Sequence, residues 1–328
     1  MFKKTLKQLK ILAIIIIAIV CFPRSILPHQ TPDINKSDVD NYIRLNENES
    51  RLIEFKDDEE SLRLKLKQLE IINKSRKKYK AGEVKLDILA SRVANKMCKE
   101  SAENKYLGHW NMKGEKPYHR YAFAGGYDHV SENAFGEWTT ATYIKSSATI
   151  SEMMINGHNS FMSEKAPADG HKKTIIEKSH NYVGIGFYLS ESQFRYYEEF
   201  IDRYFEFENI QVQLNVNKPG SITFKTDGKN FPYFLTVYRE DIPKPLTPEQ
   251  LTKKGSYEDF SDEVFLNMPA WDIAMHKSGN KYVIPLEFSR VGLYYIQIFT
   301  DKNEITKPGK LNTKGKTPGS GIVIKVVR

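Results

Sequence analysis

The residue pattern changes near Asn209, and this change is what most limits how the chain can fold. After it come short runs rich in β-branched and aromatic residues with rough alternation: IQVQLNV, SITFKT, YFLTVYR, YVIPLEF, LYYIQIFT and GIVIKVV. Turn signals such as Pro219-Gly220 separate the runs, so residues 209–328 are predicted to form an all-β, immunoglobulin-like sandwich. Two long loops are expected within it, at Lys244 to Met268 and Lys307 to Pro318.

Helical patterns dominate the residues before this change. The first helix is predicted from the acidic residues near Glu60, through leucines at helical spacing, to a stop at Gly82. The second is LDILASRVANKMCKESAENK, with Asp87 suited to the N-cap. A weaker helical pattern spans Ala148 to Met162. The later run FRYYEEFIDRYF fits either a strand or a short helix, because its period does not separate the two.

The N-terminus has the character of an export signal. Four lysines within the first ten residues precede an almost wholly apolar run, Ile11 to Phe22. This run is shorter than the roughly 20 residues that a spanning helix needs, so a signal peptide over residues 1–28 is predicted, with an uncleaved membrane anchor as the alternative. Residues 29–59 are polar and are predicted to be a linker. The expected location is secreted or extracytoplasmic, at the cell envelope or an extracellular surface.

Composition excludes several classes of function. The 328-residue chain carries a formal charge of +8, a mild excess for its length, and no Lys/Arg block interleaved with stacking aromatics. Nucleic acid is therefore not an expected partner. P-loop, GXSXG and HEXXH motifs are absent from the sequence, and no nucleotide cofactor is expected. The two cysteines, Cys21 and Cys98, exclude a disulfide framework, and Cys98 is expected as a small buried hydrophobe.

Four polar residues are the candidates for a site: His109, Glu132, Glu164 and His171. Two imidazoles and two carboxylates can hold a divalent metal or exchange protons near neutral pH. A carboxylate can also orient an imidazole by accepting a hydrogen bond from the ring nitrogen that does not bind the metal. Spacing alone does not show that the four converge, because each is also compatible with an ordinary solvated loop.

A series of short motifs resembles the CAP superfamily, which comprises cysteine-rich secretory proteins, antigen 5 and pathogenesis-related proteins and is also called SCP-like. The motifs are a helix followed by GHWN, then SENAFG, FMSEKAPADGHKKTII and HNYVGIGF, in the family's order over about residues 60 to 205. The chain lacks the disulfides of animal and plant members and is similar to the bacterial branch. The resemblance implies an α+β fold: an α-β-α sandwich over residues 60–208, followed by the β-sandwich.

The resemblance also implies a cleft lined by His109, Glu132, Glu164 and His171, with Phe161 where the family commonly has Trp. His109 and His171 are predicted to be the metal-ligating pair. Supporting positions outside the cleft are Asn133, Asp169 and His180. In this alignment GHKKTII opens the segment of the V-G-I-G strand.

Three functional hypotheses follow. The first is an exported module whose cleft binds zinc or another divalent cation and a small lipid, peptide or glycan. The second is a metal-dependent, protease-like hydrolase that uses the same cleft, with a histidine as general base. The third is a purely structural polar cluster.

Overall fold

The computed structural model describes residues 35–208, 210–255, 257 and 263–328. The predicted signal peptide or anchor, residues 1–28, lies outside these ranges. None of the helices within them is long and apolar enough to cross a bilayer. The elements of the first part are α1 (Lys36–Asn48), a 3-10 turn (Ile53–Phe55), α2 (Glu59–Lys78), β1 (Lys85–Leu86), α3 (Ile88–Glu103), α4 (Pro117–Phe123), β2 (His129–Trp138), α5 (Ser147–Ser163), α6 (Gly170–Ile176), β3 (Tyr182–Leu189) and β4 (Gln193–Asp202).

A four-stranded sheet in the order β1-β3-β4-β2 forms the centre of this part. Alternate residues of β4 face opposite sides: Tyr196 packs in the core with α2 and α5, whereas Tyr197 packs with α3. Helices therefore cover both faces, as the predicted α-β-α arrangement requires. The V-G-I-G run lets α3 lie close to β3, because a Cβ at Gly184 would be only 2.4 Å from the Cβ of Ala90.

The residues predicted as a polar linker, 29–59, contain a helix instead. Helix α1 is capped by Asn35, and Val39 on its inner face is fully buried against the first core. Only Val39, Tyr42 and Ile43 contribute apolar contacts, so the helical signal is lost in a polar sequence. Helix α2 ends at Lys78, before the predicted stop at Gly82.

Two further predictions change in the region of the site. GHKKTII forms the short helix α6 and does not open a strand; β3 starts only at Tyr182. The ambiguous FRYYEEFIDRYF run is strand β4, which pairs antiparallel with both β3 and β2. By contrast, α3 begins after Asp87, whose side chain accepts from the Ala90 amide as an N-cap, and this prediction is confirmed.

The second part consists of two sheets around one apolar core, and the α+β fold class is confirmed. Its elements are β5 (Phe205–Glu208), β6 (Gln213–Asn215), β7 (Pro219–Thr226), β8 (Phe231–Glu240), α7 (Pro248–Thr252), β9 (Val264–Pro269), α8 (Ala270–Ala274), β10 (Lys277–Ser278), β11 (Lys281–Glu287), β12 (Gly292–Asp301), β13 (Thr317–Pro318) and β14 (Ile322–Val327). Strand orders are β10-β11-β7-β5 and β6-β14-β12-β8-β9, with β13 beside β12. The predicted loop over Lys244 to Met268 contains a helix and most of a strand, and β5 belongs to this part although it precedes residue 209.

Candidate functional site

The first histidine of the predicted site is held from two sides. His109 lies in the loop after α3, and its Nδ1 is 2.8 Å from Oε1 of Glu132 on strand β2. The other oxygen of Glu132 accepts from Arg120 on α4, which also donates to the backbone carbonyl of His109 at 2.5 Å. A single guanidinium therefore fixes both the histidine backbone and the carboxylate that orients its ring.

The second histidine has an equivalent carboxylate partner. Nδ1 of His171, on α6, is 2.5 Å from Oε1 of Glu164, the C-cap residue of α5. The second oxygen of Glu164 accepts from the His171 amide at 3.0 Å, so the pair is closed by two contacts. The ring of His171 stacks on Phe161 with centroids 4.8 Å apart. Phe161 thus supplies the aromatic support that the FMSE motif suggests.

All four predicted residues line one cleft of about 380 Å³. The His109 and His171 rings lie 6.2 Å apart between centroids. The cleft opens at the outer edge of β2, which pairs with β4 on its other side. Neighbouring strand residues point to opposite faces, so Glu132 serves one side of this edge and Asn133 the other.

Of the three predicted supporting residues, Asn133 lines the cleft, whereas Asp169 and His180 do not. Asn133 lines the cleft and donates from Nδ2 to the His171 carbonyl at 3.1 Å. Asp169 forms an ion pair with Lys173 within α6. His180 is buried with its Nδ1 2.8 Å from Asp202, and its carbonyl accepts from Arg76. His180 therefore connects the segment before β3 to the end of β4, and it does not line the cleft of His109 and His171.

A buried carboxylate behind Glu132 could not be anticipated from the motifs. Glu199 of β4 lies directly opposite Glu132 of β2, and both side chains are buried. Burial, reinforced by the charge of Glu132, raises the pKa of Glu199 well above its usual range. Burial also raises the pKa of Glu132, which Arg120 opposes. Two buried carboxyls this close disfavour a full charge on each, and Arg120 lies beside both, hydrogen-bonded to Glu132 and 3.6 Å from Oε1 of Glu199.

The other face of the sheet carries a second hydrogen-bonded chain. His158 of α5 is fully buried between Ser75, 2.9 Å from its Nε2, and Glu198, 3.0 Å from its Nδ1. Glu198 accepts from Asn133, which in turn donates to the His171 carbonyl. This chain connects α2 and α5 to the second histidine of the cleft.

Tyr257 is the least expected member of the cleft, because it follows residue 209 and carries no motif. Its hydroxyl accepts from the Glu132 amide at 2.6 Å, and its ring lies 4.8 Å from that of His109. The backbone amide of Glu132 therefore points away from β4. In such a non-hydrogen-bonded pair the side chains of opposite residues approach most closely, which agrees with the Glu132–Glu199 contact.

The cleft offers fewer ligands than a structural metal site needs. Within the described ranges, no group of three or more His, Cys, Asp or Glu side chains is arranged to hold a metal ion. The available ligands are two imidazoles, whereas protein zinc sites commonly provide three or four ligands. When Nδ1 of a neutral imidazole donates to a carboxylate, Nε2 is the ligating nitrogen.

Comparison with known proteins yields distant structural neighbours only. No family model and no curated protein matches the chain. An extracellular protein with an SCP domain from Bacillus anthracis is similar over 42% of this chain and 40% of its own, at 16% identity and a TM-score of 0.33. An outer surface protein from Borrelia burgdorferi aligns over 41% of this chain and 89% of its own, at 18% identity and a TM-score of 0.31. A chitin-binding domain from Burkholderia pseudomallei aligns over 36% and 57%, at 8% identity and a TM-score of 0.21. The chain thus spans less than half of the Bacillus anthracis protein, and likenesses this distant carry no functional argument.

Proposed function

We propose that the chain is an exported protein whose cleft binds a divalent cation such as zinc through His109 and His171. The observation that carries the proposal is the pairing of each Nδ1 with its own carboxylate, Glu132 or Glu164. A carboxylate on Nδ1 fixes the tautomer and orientation of a metal-ligating histidine and raises its basicity. Two such pairs on one cleft favour a ligand shared between the two rings.

The spacing of the rings is compatible with a shared ion. Zinc bound at about 2.1 Å from one nitrogen of each imidazole can bridge rings whose centroids are 6.2 Å apart. His109 and His171 would hold the ion, and water or a ligand would complete its coordination. The ion would polarise a bound oxygen, and with two protein ligands it would exchange readily.

A small organic ligand beside the cation is the second element of the proposal. The cleft volume of about 380 Å³ falls at the lower end of the range for small-molecule sites. A lipid head group, a short peptide or a glycan from the cell envelope fits the expected extracytoplasmic location. The basic N-terminus and the apolar run Ile11 to Phe22 support export, and a net charge of +8 favours an anionic envelope.

Metal-dependent hydrolysis by the same residues is the alternative. It is favoured by the histidine–carboxylate pairs, since a general base is commonly oriented in this way. The two functions differ in turnover. Cleavage of a peptide substrate that requires the cation and is lost in His171→Ala would support the hydrolase, whereas stoichiometric binding without turnover supports the binding module.

Thermal melting with and without zinc tests the proposal. A cation at 100 times its dissociation constant should stabilise the wild type by about 2.7 kcal/mol. The His109→Ala/His171→Ala double variant should lose this gain, while His276→Ala, which changes a histidine of the second part outside the cleft, should keep it. An unchanged wild-type melting temperature at saturating zinc would contradict the proposal and support a purely structural role for the cluster.

A further inference from the structure

The segment between β8 and β9 reaches across to the first part of the chain. We call residues 244–255 the strap. Its Leu246 amide donates to the Met112 carbonyl at 2.9 Å, and Leu251 is buried in the core formed by α3 and Tyr197. Helix α7 within the strap has a capping box made by Thr247 and Gln250. Apolar burial and fixed backbone contacts therefore attach the strap to the body that carries the cleft.

Beyond the strap, Tyr257 lies in the cleft with only 8% of its surface exposed. It contacts His109 through its ring and Glu132 through its hydroxyl, which also lies 3.5 Å from the Glu132 carbonyl. One face of a predicted site in the first part is thus supplied by a residue of the second part.

The two histidines differ in exposure, and the one beside Tyr257 is the less exposed. The His109 side chain, next to Tyr257, is 18% exposed, whereas that of His171 is 33% exposed. The strap is attached by the Leu246–Met112 backbone hydrogen bond, by buried Leu251 and by Lys254, whose ammonium lies 4.3 Å from the centroid of the Trp110 ring. The His109 side of the cleft is therefore the less exposed side.

We propose that Tyr257 determines the size of what can reach His109, and that the second part of the chain thereby completes the cleft. A bare cation is small enough to reach His109, but a bulky ligand contacts the ring of Tyr257 first. The selectivity among ligands rests on the proposed function, whereas the shielding of His109 by the Tyr257 ring, here called the cover, does not depend on it. Tyr257 is in this sense a specificity-determining residue.

Modification by diethyl pyrocarbonate, read at each histidine by mass spectrometry of peptides, tests the cover without any cation. Tyr257→Ala should raise the modification rate of His109 by at least about fivefold and that of His171 by less than about twofold, where fivefold corresponds to about 1 kcal/mol. Tyr257→Phe retains the ring and should keep both rates within about twofold of wild type. An unchanged His109 rate in Tyr257→Ala, or an equal rise at both histidines, would overturn the cover.

Tyr233→Ala is the matched control. Tyr233 also belongs to the second part, is 6% exposed and accepts a backbone amide, that of Asn312, at 2.8 Å, but it does not line the cleft. It should leave the modification rate of His109 unchanged even if the melting temperature falls. A rise equal to that in Tyr257→Ala would show that loosening of the fold, and not loss of the cover, exposes His109.

Zinc binding supplies the second arm. Affinity for zinc alone should change by less than about threefold in Tyr257→Ala, whereas affinity for the bulkier zinc–nitrilotriacetate complex should rise by at least about fivefold. Equal changes for both probes would overturn the size selectivity. If the wild type binds neither probe, the proposed cation function fails, while the modification rates still decide whether Tyr257 covers His109.

Discussion

Replacement of Glu240 by glutamine should destabilise the protein strongly and in a pH-dependent way. Glu240 ends β8, and its carboxylate accepts from the Tyr118 hydroxyl at 2.6 Å and from Lys116 at 3.2 Å, with His119 3.6 Å away. These three residues belong to the start of α4, so the carboxylate joins the two parts of the chain. Burial acts to raise the pKa of Glu240, but the contacts with His119, Tyr118 and Lys116 prevail and lower it to about 2.

The magnitude follows from the linkage between proton binding and folding. A carboxyl pKa that falls from 4.5 in the unfolded chain to about 2 in the folded protein corresponds to at most about 3 kcal/mol at neutral pH, because burial lowers the pKa of His119 and leaves this partner uncharged there. Because the folded-state pKa is depressed, this contribution is fully present above pH 4.5 and is lost as the pH falls toward 2. At pH 3 we expect roughly half of it to remain.

Urea denaturation of the wild type and Glu240→Gln at pH 7 and pH 3 measures this contribution. The variant should lose up to about 3 kcal/mol at pH 7 and less at pH 3. Glu191→Gln, which changes an exposed glutamate, is the matched control and should stay within about 0.5 kcal/mol of wild type. A loss for Glu240→Gln below about 1 kcal/mol, or one that is equal at both pH values, would refute the reasoning.

Three other substitutions or reactions test separate parts of the structure. Gly184→Ala should cost about 1–3 kcal/mol in urea denaturation because its Cβ would meet Ala90, whereas Gly309→Ala, with open space around it, should cost little; equal effects would contradict the close contact of α3 with β3. Glu199→Gln should change the free energy of unfolding at pH 7 by less than about 1 kcal/mol because burial and the neighbouring Glu132 disfavour a charge on this carboxyl, and a larger loss would show that its charge stabilises the fold. Cys98, whose burial raises its thiol pKa, should react with iodoacetamide only after denaturation, and rapid labelling of the native protein would place it elsewhere.

The sequence predicts the four main cleft residues because short motifs with local constraints contain them. The histidine after a helix end precedes the acid in SENAFG along the chain, as in the family, and this order of the motifs identifies both residues. The helices α2, α3 and α5 and most strands of the second part are predicted for a similar reason, since their apolar residues recur at a regular period.

The residues that the sequence does not reveal act across long separations. Arg120, Glu199 and Tyr257 reach the cleft from α4, β4 and the segment after the strap. Their side chains carry no distinctive neighbours, and only the pairing of β2 with β4 brings Glu199 beside Glu132. Helix α6 is missed because seven residues provide too little periodic signal to distinguish a helix from the start of a strand.

The two histidine pairs also explain why the supporting residues are spread over both faces of the sheet. On the α3 side, Arg120 contacts both Glu199 and Glu132, the partner of His109. On the α5 side, Asn133 donates to Glu198 and to the His171 carbonyl. A cleft at a strand edge needs both sets, because adjacent residues of the strand point in opposite directions. Damage to either face should therefore disturb one histidine more than the other.

The most direct test of the shared cleft is an anomalous difference map at the zinc edge, from crystals of the protein soaked in zinc. A zinc ion shared by the two histidines predicts one strong peak about 2.1 Å from a ring nitrogen of both His109 and His171. A map in which zinc binds other histidines, such as His276, and leaves the space between His109 and His171 without a peak would contradict it.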